Sequence, residues 1–443
     1  MSSRGLWSWN CERGFCQKKL ITNETKDTAL SLSACRLLCS ESAALWPKPT
    51  GDVSVGNNLE KININSIDFE GIKSDTPIFD LTRGATKIFK EEIQSLVPKN
   101  INPVGGKSLI INLDIRHTNI SKITLSVDES YILKVSESSD GRLKVLITAP
   151  TFFGARHGLQ TLSQLVIYDD LRDELRTPRD VLISDRAAYP YRGILLDTSR
   201  NYITVDAIKK TLKGMGASKL NTFHWHITDS HSFPYVSKSQ PDLSKYGAYS
   251  PSKMYSQGDI AEIIKYGNER GIRVLPEFDA PAHVGEGWQN TDLVTCLNWQ
   301  PWQNYCVEPP CGQFDPTKSA LYNVIEDYLP KDKYIIQIWT KGDDEQVTNL
   351  LANGYRLILS NYDALYFDCG FAGWVTDGNN WCSPYIGNKK NQILGGEATL
   401  WTEQVDSTSV DGRLWPRAAA LAEVLWSEPE NGWQKAEERF FGS

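Results

Sequence analysis

The chain has 443 residues and a mass of 49.8 kDa, room for two or three domains of roughly 150 residues each. With 40% hydrophobic and 23% charged residues it can bury a core, which excludes a disordered chain. The 47 Lys and Arg against 54 Asp and Glu give a net charge of −7; with no long basic run and no apolar stretch of about 18 residues, neither a nucleic acid nor a membrane span is expected.

The first segment, MSSRGLWSWNCERGFCQKKL, has no apolar run of signal-peptide type, so no leader is visible. Cysteine usage nevertheless points to an oxidising compartment. Cys11, Cys16, Cys35 and Cys39 read as a nested disulfide pair, Cys11–Cys39 around Cys16–Cys35, with a zinc site as the alternative. Cys306–Cys311 spans the turn VEPP, and Cys369–Cys382 brackets a Trp- and Gly-rich loop, leaving Cys296 without a partner. The sequons at Asn23 and Asn119 agree with a secretory protein, and the chain is expected to start downstream of its natural N-terminus.

Residues 1–50 therefore form a Cys-rich segment. Over 52–185 the strand-like runs KSLIINLDI, ESYILKVSES and GRLKVLITAP precede a helical run, TFFGARHGLQTLSQLVI, with Phe153, His157, Leu159, Leu162 and Leu165 at helical spacing. This is the pattern of a small α+β domain, in which His157 packs or caps. From 186 to 443 the rhythm becomes strand, then helix, repeated. Strands are expected at 193–197, 221–227, 272–278, 334–339, 356–361 and 393–400, with amphipathic helices between most of them. Buried strands alternating with such helices predict a parallel α/β fold. No glycine-rich phosphate loop follows any strand, so a nucleotide cofactor is not expected. Six strands are two fewer than a (β/α)8 barrel requires.

Polar residues gather where these strands end: Asp197, Arg200, Asp229, Glu277, His283, Trp339, Asp363, Trp401 and Glu403. That is the face on which a barrel carries its active site. Arg200 offers a planar donor fork to sugar hydroxyls, and Trp339, Trp374, Trp381 and Trp401 offer rings on which a pyranose face stacks. His224 and His226 share one strand face, and interior packing is favoured over a metal site; on a regular strand Asp229 has the opposite parity. Gly342–Glu345, GDDE, resembles a carboxylate pair, but its acids open a helix and suit the helix dipole.

The segments YRGILLDTSRNYITVDAIKKTLKGMGASKLNTFHWHITDSHSFP, PEFDAPAHVGEGW, NYDALYFDCGFAGWVTDGNNWCSPYIG and GGEATLWTEQVD closely resemble family-20 glycoside hydrolases, the β-N-acetylhexosaminidases, in their insect chitinolytic branch. The resemblance implies substrate-assisted retaining hydrolysis of terminal N-acetylglucosamine or N-acetylgalactosamine, in which the substrate's own acetamido oxygen is the nucleophile. It implies no cofactor and no metal, a carbohydrate partner, a secretory or lysosomal location, and is compatible with a homodimer. In the family an Asp orients the acetamido group and a neighbouring Glu protonates the leaving oxygen. By motif match Arg200 binds hydroxyls of the terminal sugar, Asp229 and His283 form the relay behind the acid, and Trp374, Trp381 and Trp401 wall the pocket. Tyr366 and Asp368 meet the acetamido end, Glu403 a sugar hydroxyl, and Trp339 and Val307 the neighbouring subsite. The Gly-Gly-Asp-Glu motif that carries the acid belongs on the fourth barrel strand. Here the helix SALYNVIEDYL runs almost directly into what looks like the sixth, so barrel units 4 and 5, and with them the catalytic pair, are expected to be missing. The family partner of Cys296 would lie in the same segment. Shortening after Tyr385-Ile386-Gly387 and at Gly442-Ser443 suggests a splice or gene-model product, and an inactive sugar-binding relative is the other outcome.

Overall fold

A computed structural model describes residues 7–71, 73–103, 105–322, 336–342, 344–368, 392–429, 436 and 439. Strands β1 (Trp7–Glu12) and β2 (Phe15–Leu20) form an antiparallel hairpin, turned by Arg13 and Gly14 at positive φ. Helix α1 (Leu32–Cys39) packs on the hairpin, N-capped by Ser31, whose side chain accepts from the Ala34 N–H. The hairpin is largely exposed and buries little apolar surface. Disulfides Cys11–Cys39 and Cys16–Cys35 tie it to α1 instead.

A mixed eight-stranded sheet follows, built from β3 (Val53–Val55), β4 (Leu59–Glu70), β5 (Lys107–Ile115), β6 (Tyr131–Glu137), β7 (Leu143–Ala149), β8 (Ile167–Asp169), β9 (Glu174–Pro178) and β10 (Val181–Asp185), in the order β3-β10-β6-β7-β5-β4-β9-β8. Alternation sets its faces: Tyr131, Leu133 and Val135 of β6 are buried while Ile132 and Lys134 are exposed. Helices α2 (Phe79–Ser95) and α3 (Phe152–Leu165) cover the buried face. β4 and α2 are not among the predicted elements. β4 interleaves Asn, Lys and Glu with its isoleucines, and α2 carries its apolar stripe, Ile88, Phe89 and Ile93, among lysines and glutamates.

The second sheet is wholly parallel. β11 (Tyr191–Asp197), β12 (Thr222–Thr228) and β13 (Arg273–Phe278) come first in the chain. The short pair β14 (Val294–Thr295) and β15 (Gln313–Phe314) lies in the segment after β13. Then come β16 (Ile336–Ile338), β17 (Leu357–Leu359) and β18 (Ile393–Leu400), and the sheet order is β13-β12-β11-β18-β17-β16. Six strands thus make a curled half-barrel, and among the described residues β13 and β16 are its two edges. β17 is shorter than the run predicted at 356–361, and residues 334 and 335 of the run predicted at 334–339 lie outside the described residues. One side of the sheet packs Ile194, Leu196, Phe223, Trp225, Leu357, Leu359 and Leu400 against helices that include α4 (Val205–Ala217) and α6 (Gln257–Asn268), numbered after the short α5 (Pro241–Gly247).

Buried charges join the two sheets. Arg192 at the start of β11 donates to both oxygens of Glu129, at 3.0 and 2.7 Å, and Glu129 also meets His157 Nε2 at 2.8 Å. Beside this pair Lys219 Nζ donates to Asp185 at 2.9 Å, and Asp185 accepts from the indole of Trp426 at 3.0 Å. His157 is therefore a buried packing residue; burial, against the pull of Glu129, lowers its pKa to about 4.

Candidate active site

β11 and β18 end side by side, and Asp197 fastens them. Its Oδ1 accepts from the Ser199 and Arg200 N–H groups, and its Oδ2 accepts from the Thr402 N–H at 3.1 Å and hydroxyl at 3.0 Å. This fixes the turn that presents Arg200. Arg200 is only 7% exposed, so its partners set the direction of its guanidinium. Nη1 lies 2.9 Å from Asp229 Oδ2 and 3.6 Å from Asp197 Oδ2. Nη2 lies 3.6 Å from Glu308 Oε2, and Nε 4.0 Å from Glu403 Oε1, without a hydrogen-bond partner of its own. The group sits 4.9 Å from the centroid of the Trp401 ring, where the ring quadrupole attracts a cation.

The concave face of the sheet carries a ladder of alternating charge. His224 Nδ1 donates to Glu397 Oε1 and its Nε2 lies 2.9 Å from Glu277 Oε2; His226 Nδ1 donates to the same Glu277 oxygen, and its Nε2 donates to Asp229 Oδ2 at 2.8 Å. A carboxylate oxygen on each ring nitrogen favours the imidazolium form of both rings. Burial works against that charge, but Glu397 and Glu277 outweigh it and raise the His224 pKa to about 10; Glu277 and Asp229 hold His226 well above its ordinary value. Glu397 is wholly buried and faces Gly193 of β11, where a Cβ would meet its Oε2 at 2.8 Å. His226, Glu277 and Asp279 bring donor atoms within 4.8 Å of one another, a spacing that suits a divalent ion, but carboxylates already engage both His226 nitrogens.

Asp229 corrects the parity argument. The β12–β13 register shifts between His226 and Thr228, and the Asp229 N–H closes a turn onto the Ser232 carbonyl at 3.2 Å. That break brings the carboxylate back to the histidine face. His283 reaches it as well, its Nδ1 3.5 Å from Asp229 Oδ1. Burial would raise the Asp229 pKa, but His226, His231, His283 and Arg200 hold it far below the carboxylate range.

Around this centre Glu403 and Asp368 are carboxyls that burial pushes up, to about 7 and about 6. Tyr366 bridges to Thr399 and its ring lies 6.1 Å from Trp401. Val307, within the loop closed by Cys306–Cys311, is 97% exposed and Trp339 64%, so both are open to a ligand. Trp374, Trp381 and the Cys369–Cys382 pair lie outside the described residues. Cys296 is a free thiol. A cavity of about 300 Å3 opens along β13, lined by His224, Asp229, Glu277, Asp279, His283 and Trp288 among others. In the GDDE turn Asp344 caps the helix Glu345–Ala352, accepting from the Gln346 N–H at 2.8 Å, and Glu345 is exposed in its first turn. Among the partners that escaped the sequence reading are Glu397 and Glu308, with His231 and Asp279 beside Asp229. Glu397 follows from cross-strand register and Glu308 from a loop path, and neither is periodic.

The model of glycosyl hydrolase family 20, catalytic domain, matches residues 189–330 and 326–429, and a beta-acetyl hexosaminidase like model matches 45–165. Chitooligosaccharidolytic beta-N-acetylglucosaminidases of Ostrinia furnacalis and Bombyx mori are each 45% identical over 538 aligned positions, covering 98% of this chain and 90% of the relative. The probable beta-hexosaminidase fdl of Drosophila melanogaster is 34% identical, with 96% and 84% covered. The GH20 beta-N-acetylhexosaminidase from Streptomyces coelicolor A3(2) has a similar fold, with a TM-score of 0.70 at 21% identity over 91% of this chain and 95% of that one. The Flavobacterium johnsoniae chitobiase has a TM-score of 0.68 at 23% identity, with 90% and 71% covered.

Proposed function

The chain belongs to glycosyl hydrolase family 20, and from that premise we propose that it holds a terminal N-acetylglucosamine of a chitooligosaccharide or glycan at the mouths of β11, β12 and β18 while hydrolysing it poorly or not at all. The observation that carries the second half is the sheet order. Among the described residues the two edges, β13 and β16, are consecutive strands of this sheet, and the strand bearing the family's Asp-Glu pair belongs between them. Two further facts support the reading. The alignment to the Ostrinia protein runs over 538 positions although this chain has 443 residues, so at least 95 of those positions face a gap in this chain (538 − 443). The family model also matches in two pieces that meet at 326–330. Barrel units 4 and 5 would fall at that junction.

What remains is the binding half of the machinery. Arg200 donates to hydroxyls of the terminal sugar, and Glu403 accepts from one when ionised. Trp401 offers a ring to the apolar face of the pyranose, and Tyr366 and Asp368 stand towards the acetamido end. Asp229 and His283 are the relay behind an acid that this chain does not supply. Asp229 cannot replace that acid, because its neighbours keep it ionised. The three disulfides among the described residues fit a secretory or other oxidising compartment. Calorimetric titration of the intact chain with N-acetylglucosamine tests the binding half. Saturable binding that Arg200→Ala weakens by at least about tenfold, the loss of a charged hydrogen-bond donor, is the expected result. Absence of binding by a cooperatively folded wild-type chain would defeat it.

A further inference from the structure

We propose that Trp299 and Tyr305 form a sugar-stacking platform outside the pocket, where the second or third residue of a β-linked N-acetylglucosamine chain rests; this inference builds on the binding role proposed above. The two rings meet edge to face, with centroids 5.2 Å apart at 87°, yet Trp299 remains 50% exposed and Tyr305 36%. Each stays half in water while bracing the other. Such a pair offers a flat apolar face to a pyranose at little cost in conformational entropy.

The backbone around the pair is held in place. Cys296 and Asn298 both have positive φ, and the Trp299 N–H donates to the Cys296 carbonyl at 3.3 Å, which makes the turn presenting the indole. The Tyr305 and Cys306 N–H groups both donate to the Trp302 carbonyl, at 2.9 and 3.1 Å, and the Cys306–Cys311 disulfide closes the loop immediately after them. The same loop reaches the sugar pocket. Val307 stands two residues beyond Tyr305, almost fully exposed, and Glu308 lies 3.6 Å from the Arg200 guanidinium. Three residues of chain span about 10 Å at most, so the Tyr305 backbone lies within about 10 Å of Glu308's, a distance of one or two sugar residues. A ligand gripped by Arg200 at one end can therefore continue over Val307 onto the platform. The occupant that fits is an oligosaccharide, because the platform stands on the loop whose Glu308 reaches Arg200 of the candidate sugar pocket, and the exposed polar residues Gln303 and Asn304 precede Tyr305 in the chain.

Titration of the intact chain with N-acetylglucosamine and with chitotetraose separates the platform from the pocket. Chitotetraose is expected to bind more tightly than the monosaccharide. Trp299→Ala and Tyr305→Ala are each expected to lower chitotetraose affinity by about three- to tenfold, the scale of one aromatic contact, and to leave monosaccharide affinity unchanged. Trp299→Phe, which keeps a stacking face, is expected to retain most of the chitotetraose affinity. Normal chitotetraose binding by both alanine variants would overturn the platform while leaving the pocket standing, as would an equal loss for both sugars. If the wild-type chain binds neither sugar, the pocket reading fails and the platform fails with it.

Discussion

Arg200 and Asp229 meet at 2.9 Å across the ends of β11 and β12, so the guanidinium at the mouth of the sheet is anchored on a buried carboxylate. Asp229 also receives His226 and lies near His283. With its charge shared among cations, it serves as an orienting anchor and is not a proton source near neutral pH.

The charge ladder makes His224 a stability determinant. His224→Ala would leave Glu397, which is wholly buried, and Glu277 facing a void with no cation between them. Breaking a buried ion pair from one side costs about 3–5 kcal/mol. Urea unfolding should show a loss of that order, and a loss under about 1 kcal/mol would mean that the ladder is not formed.

Glu403 predicts a pH dependence of definite sign. Its folded pKa of about 7 lies above the ordinary 4.5, so the native state binds the extra proton between those values. Its contribution to stability therefore falls as pH rises from about 4.5 to about 7, and Glu403→Gln should flatten that part of the Tm–pH profile. If the ionised carboxylate accepts a sugar hydroxyl, N-acetylglucosamine affinity rises with pH through the same upper pKa. Affinity that is flat or falling between pH 6 and 8 would contradict this role.

Lys219 tests the junction of the two sheets. It is 1% exposed, bonded to Asp185, and holds a positive φ of 58°. Lys219→Met should destabilise by about 3–5 kcal/mol, because Asp185 loses its cation but stays buried. Exposed Lys122→Met should stay within about 0.5 kcal/mol. Equal effects would show that Lys219 is not buried at a packed junction.

The edge strand β13 carries Leu275 at 46% exposure. A parallel edge with an exposed apolar side chain invites pairing between molecules. Leu275→Lys should slow concentration-dependent aggregation, followed by light scattering, with little change in Tm. An unchanged aggregation rate would argue that β13 is covered.

Strands with regular patterning are legible in the sequence: β6 and β7 alternate cleanly, β5 carries a buried apolar run at Leu109–Ile111, and β11, β12 and β18 are short apolar runs between turns. β4 is not, because polar residues, among them the exposed Asn65, Asp68 and Glu70, are interspersed with its isoleucines. The site divided in the same way. Arg200, Asp229, His283 and Glu403 stand at strand ends and in recognisable motifs, whereas Glu397 becomes meaningful only when the β11–β18 register sets it against Gly193. Asp229 was misplaced by strand parity because a register shift after His226 restores it to the histidine face. Glu308 reaches Arg200 through a loop whose path no periodicity encodes.

The most direct test of the central claim is hydrolysis of an aryl N-acetylglucosaminide by the purified, monodisperse chain beside its Glu345→Gln variant. A positioned general acid contributes about 10²–10⁴-fold, so without one both proteins should turn over substrate at the same near-background rate. Robust turnover by the wild-type chain, abolished by Glu345→Gln, would make the GDDE turn the catalytic pair and contradict the account.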